Sequence, residues 1–328
     1  ERLKHTYHRI LLGMSVSDII ASCMAFLSTW PIPKGTPHVY LAAGTTQTCS
    51  AAGFFTLATA LCTPLYNVSL CTYYLLVIVK GWTRTKVNKV EPYFHAFPVL
   101  LALGTGIAGL ALKLYNSAHW ICWIKSLPAG CDVNDEIPCE RGDNAWIYQW
   151  AFLYVFVWSA FVFMAIAMSV VYCHVRKIER LVQQNNSSSE NTKSRKVAWQ
   201  ALQYCLAFCI SWLFATLARI LTLTDNVDNM FIVLVFKTIF FPLPGFFNAL
   251  IYVSPRYKKW RHRNPDVSVW KIICNKIICC KDYEPGSNTR ENTEAGETGA
   301  IESDVTPNYS KSDGPVSGVE ELTSIIEI

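Results

Sequence analysis

Charge is scarce in this chain: Asp, Glu, Lys and Arg together make up only 16% of 328 residues. Those charges sit in the gaps between long apolar runs, whereas an ordinary soluble domain interleaves the two. Catalytic signatures are missing as well. The seven histidines form no His-Glu-x-x-His pair and no intramembrane cluster, which sets aside a membrane metallohydrolase. There is no Gly-rich phosphate loop, no pair of catalytic carboxylates and no nucleophile elbow in a solvent-facing domain. The chain therefore reads as a non-enzyme that needs no cofactor or metal and has no nucleic-acid partner. The lack of a pore-loop sequence and of matching discontinuous spans weakens a transporter or channel reading, which stays as the alternative. No secretory signal is visible at Glu1, which lies in a charged segment like an intracellular loop, so the expectation is that a further span precedes it.

Apolar length is what the chain has in plenty, with 52% hydrophobic residues. A hydrocarbon core of about 30 Å takes about 20 helical residues to cross. Six stretches qualify, at 10–31, 50–79, 94–115, 145–173, 197–223 and 230–254. The predicted fold is an all-α membrane protein, a seven-transmembrane helix bundle with six spans present. Lys and Arg collect in alternate gaps, around Arg2 to Arg9, Lys80 to Lys89, Arg176 to Lys196 and Arg256 to Arg263. The other gaps are acidic, with Asp132, Asp135, Glu136, Glu140, Asp143, Asp225 and Asp228. The positive-inside rule then places both visible ends in the cytoplasm.

Cysteine placement follows the same topology, because disulfides collect on the oxidising face. Cys49, Cys122, Cys131 and Cys139 are all on the outer side, and four cysteines permit three pairings. Cys49 with Cys122 and Cys131 with Cys139 is favoured, since Cys122 lies nearest the membrane and the second pair closes a local loop; a free or differently paired set is the alternative. Cys23, Cys62, Cys71, Cys173, Cys205 and Cys209 read as small packing residues. Cys274, Cys279 and Cys280 follow the basic aromatic segment 257–263 and are candidates for S-palmitoylation, an ordinary amphipathic helix being the alternative. The segment 264–328 is expected to be a cytoplasmic tail, disordered from about 282 and rich in Ser and Thr that could accept phosphate. Sequons at Asn67, Asn185, Asn186 and Asn308 fall within the bilayer or on the inner side.

Polar residues within spans are costly and so are functional candidates. Asp18 lies about 12 Å from the inner end of its helix, and Asn248 lies eight residues before Arg256 on a helix running the other way. Equal depth lets them meet, and with Ser15, Ser17 and Tyr252 they are expected to form a polar cluster that switches between two states; static interhelical glue is the alternative. Near the outer surface, Lys237 and Arg219 are candidates to bind an anionic ligand above a floor at Trp212. Snorkelling, or pairing with Asp225 and Asp228, is the bland reading of the cations, and core packing that of Trp212.

Asn248-Ala249-Leu250-Ile251-Tyr252 resembles the Asn-x-x-x-Tyr motif in the last helix of G-protein-coupled receptors, with Ala249 where the largest class has proline. Ser17-Asp18 resembles their second-helix aspartate, and Cys49 with Cys122-Trp123 their outer bridge. The Asp/Glu-Arg-Tyr triplet is missing where Tyr73-Tyr74-Leu75 stands, and Trp212 has no proline beside it. The segment from Gly245 to Tyr252 and the Cys122-Trp123 loop are more similar to the cyclic-AMP-receptor-like receptors, with a trace of the secretin and adhesion classes. A retinal Schiff base at Lys237 is disfavoured, because opsins place their lysine six residues before the motif asparagine and here Pro242 occupies that place. The resemblance implies a plasma-membrane receptor for an extracellular ligand whose partners are a heterotrimeric G protein and membrane lipids.

Overall fold

The computed structural model describes residues 5–118, 120–128, 131, 137–184, 189–223 and 230–263. Among these, five helices are long and apolar enough to cross a bilayer, and six if one bent pair counts as a single span. The chain is an all-α, multi-pass membrane bundle. Its helices are α1 (Thr6–Leu27), α2 (Thr46–Tyr74) ending in a π turn (Leu75–Val79), and α3 (Arg84–Ala111). A hairpin of β1 (Tyr115–Ala118) and β2 (Ile121–Ile124) follows. Next come α4 (Ala145–Gln149), a second π turn (Trp150–Tyr154) and α5 (Val155–Gln184), then α6 (Ser189–Leu223), α7 (Met230–Phe240) and α8 (Pro244–Arg263). The described residues up to Tyr252 belong to one of two units; of the other, which starts at Val253, only the rest of α8 is described.

The central element is α2, whose apolar window is 72% buried against 28% for α1 and 33% for α3. Burial on all sides explains its many hydroxyls. Thr56, Thr59, Ser69 and Thr72 each donate to the carbonyl four residues back, so their polarity is satisfied within the helix. Thr45 and Thr48 start the helix with reciprocal side-chain to backbone bonds. Pro98 in α3 removes the N–H that would reach Phe94, and the single hydroxyl hydrogen of Ser69 in α2 is shared between the Leu65 carbonyl and that orphaned carbonyl, each 3.1 Å away. A helix break is thus turned into a helix contact.

The end carrying the disulfides is taken as the outer end. There, Cys122 of β2 is bonded to Cys49 in the first turn of α2, and Cys131 is bonded to Cys139. These are the pairings favoured from sequence. Tyr115 seats the hairpin by donating to the Gly106 carbonyl at 2.9 Å, and burial pushes its phenol pKa up. Its ring fits only because Gly53 and Gly109 lack side chains: a Cβ on either would lie 2.4–2.7 Å from Tyr115 atoms. Arg141 ties the loop further, donating to Asn116, to Ser50 and to the Tyr115 carbonyl.

Several predicted boundaries need correction. Tyr115 is in a strand rather than at the end of a span, and α3 instead reaches back to Arg84. The first span is α1 at Thr6–Leu27, and α5 runs on to Gln184. The predicted span at 230–254 is broken and bent by 47° between α7 and α8, where Pro242 and Pro244 cannot donate to the ladder.

Candidate functional site

Two arrangements lie in the first unit. The deeper one joins three helices. Asp18 of α1 accepts a hydrogen bond from the Thr63 hydroxyl of α2 at 2.8 Å and from the Asn248 amide of α8 at 3.2 Å. Asp18 and Asn248 are each only 6% exposed, and no described cation pairs with the carboxylate. A carboxylate held in a bundle by two neutral donors favours whichever helix arrangement supplies both. Gly245 makes the close approach possible: a Cβ there would lie 2.8 Å from the Cβ of Asp18. One turn along α2, Asn67 donates to the Thr63 carbonyl at 3.0 Å, while its own buried side-chain oxygen has no partner among the described residues.

The meeting of Asp18 with Asn248 matches the depth count, but other expected members stand elsewhere. Ser15 is exposed, because it lies on another face of α1. Tyr252 packs edge-on against His8, with ring centroids 5.8 Å apart, and not on Asp18. Sequence reasoning missed Thr63; its only signal was a hydroxyl in mid-span beside Pro64.

The second arrangement is a cavity of about 90 Å³ toward the outer end, walled by Trp120, Trp123, Tyr154, Trp212, Lys237 and Phe241. Trp212 is buried and packs against Phe208 and Phe241, so it serves as wall and core filler at once. Lys237 lines the cavity, whereas Arg219 is not among its lining residues and holds its guanidinium 5.3 Å from the Tyr154 ring and 5.6 Å from the Trp150 ring. The π turn presents both rings to Arg219, whose buried Nε has no hydrogen-bond partner among the described residues. One of the two candidate cations thus lines the cavity and the other packs on aromatic rings, one of which, Tyr154, also lines it. Asp225 and Asp228, proposed as alternative partners, lie outside the described residues, as do the candidate palmitoylation sites Cys274, Cys279 and Cys280.

The inner end carries further polar contacts. Arg9 grips the Glu91 carboxylate with two nitrogens, and Thr6 donates to Glu91 at 2.9 Å, joining α1 to α3. Arg9 was read from sequence only as an orientation signal, and Glu91 was overlooked. Tyr73 and Tyr74, standing where the resemblance would place the charged triplet, are both 1% exposed. Tyr7 packs against both rings, and its hydroxyl is 3.2 Å from that of Tyr204 on α6 and accepts from Gln200 at 3.1 Å.

No family model matches the chain. Over 105 residues it is 30% identical to the leucine-rich repeat-containing G-protein coupled receptor 4 of Bos taurus, a match covering 31% of this chain and 10% of that protein. The matched region is thus about a tenth of that relative's length.

Proposed function

We propose that the chain is the membrane bundle of a G-protein-coupled receptor at the plasma membrane, with its C-terminal tail in the cytoplasm. The observation that carries this reading is the Asn248 to Asp18 hydrogen bond, which joins residues 230 apart in the chain through the two motifs on which the resemblance rests. The short likeness to the bovine receptor supports the superfamily. The finer likeness to cyclic-AMP-receptor-like receptors rests on the Gly245 to Tyr252 and Cys122-Trp123 segments alone.

In this reading an anionic ligand places its head group against Lys237. A cavity of about 90 Å³ is small for a whole ligand, so it takes a carboxylate or phosphate head and leaves a larger body outside. Movement of Trp212 and Phe241 is passed along α6 and α8 to the Asp18 junction, and the inner ends of α5 and α6 part to admit a heterotrimeric G protein. The test is nucleotide exchange on co-expressed G proteins during a screen of small carboxylates and phosphates. A responding anion should lose about tenfold in potency with Lys237→Gln. The break between α7 and α8 favours the alternative, a transporter or channel, and solute flux without nucleotide exchange would decide for it.

A further inference from the structure

The α2–α6 seam contains a pair of sulfurs that the receptor reading does not use. Cys71 and Cys205 are both buried, and their Sγ atoms lie 3.4 Å apart. Cys71 precedes Tyr74 by one helical turn, and Cys205 is next to Tyr204, so the sulfurs sit at the level of the tyrosine contacts that join α1, α2 and α6. Closing from this separation to a bond of about 2.05 Å brings the two sulfurs together by about 1.4 Å. We propose that Cys71 and Cys205 form a redox-sensitive pair that a hydroperoxide converts to a disulfide, fastening α2 to α6.

The chemistry balances in two steps. One cysteine sulfur attacks the peroxide; an S–O bond forms, the O–O bond breaks, and the peroxide leaves as an alcohol or water. The partner thiol then attacks the sulfenic sulfur; the S–S bond forms, the S–O bond breaks, and water leaves. Two thiols lose two electrons and the hydroperoxide gains them. A thiol packed among apolar groups reacts slowly, so the first step waits for the seam to loosen and hydrate one sulfur. When the seam recloses, the second sulfur is already in contact. The bond then opposes the parting of α6 that the receptor reading requires, and only this consequence rests on that reading.

The experiment uses the full chain in native membranes treated with tert-butyl hydroperoxide, followed by non-reducing digestion and mass spectrometry. The expected product is a peptide pair joined through Cys71 and Cys205 that dithiothreitol separates, that persists in Cys209→Ala and that disappears in Cys205→Ala. Amide hydrogen exchange in the inner parts of α2 and α6 should slow about tenfold in the joined form and recover on reduction. Separate oxidation of the two sulfurs, a bond from Cys71 to Cys209, or unchanged amide exchange in the joined form would each overturn the proposal. None of these readouts depends on a ligand or a G protein, so failure here is distinct from failure of the receptor reading.

Discussion

The outer and inner ends of the bundle are held by different kinds of bond. At the outer end two disulfides, a seated Tyr115 and the Arg141 contacts fix the hairpin over α2 and α3. At the inner end an Arg9–Glu91 pair joins α1 to α3, but α6 meets α1 and α2 only through hydroxyls, an amide, rings and two unjoined sulfurs among the described residues. Covalent closure restricts even the unfolded chain, whereas a hydroxyl contact contributes about 1 kcal/mol and exchanges readily with water. In the proposed receptor reading, this difference assigns rigidity to the end that would face a ligand and movement to the end that a G protein would meet. The Asp18, Thr63 and Asn248 junction lies between them, where a small change in helix spacing gains or loses a hydrogen bond.

The largest effect is expected from breaking the outer end. Cys49→Ala opens a link across 73 residues, for which loop-closure entropy suggests about 4 kcal/mol; Cys131→Ala opens one of 8, worth about 2.5 kcal/mol. Thermal unfolding in detergent should rank them in that order, and equal losses would show that the hairpin is not anchored chiefly through Cys49. Next, Asn248→Leu leaves the buried Asp18 carboxylate with only the Thr63 hydroxyl as a donor. The expected loss is about 2–3 kcal/mol, read as a lower midpoint in denaturant. Gly245→Ala should cost about 1–2 kcal/mol by pushing α8 from α1, and a variant as stable as the parent would mean the close approach at Asp18 is not tight. The smallest change is Tyr204→Phe, about 1 kcal/mol. It should speed amide exchange at the inner part of α6 while leaving the hairpin untouched; faster exchange at both ends would erase the contrast between them.

Depth along a helix was legible in the sequence, because 1.5 Å per residue is nearly invariant, and it brought Asp18 and Asn248 to one level. Facing was harder to read. Tyr252 is one turn from Asn248 on the same helix, yet its ring meets His8 rather than the Asp18 junction, a facing that residue counting does not give. Lys237 lines the cavity as the candidate site required, but Arg219 is not part of that lining and instead meets the Tyr154 and Trp150 rings of the π turn, a contact that residue counting does not give. The hairpin escaped notice because each strand is only four residues long, too short for alternation to show, and its apolar ends blended into the neighbouring span.

The most direct test of the account is the reciprocal exchange of the junction pair. G-protein nucleotide exchange would be measured for the parent, Asp18→Asn, Asn248→Asp and the double variant that swaps the two side chains. The account predicts that each single variant loses most of the activity and that the swap, which restores one carboxylate facing one amide, recovers much of it. A swap as inactive as the worse single variant, or single variants as active as the parent, would contradict it.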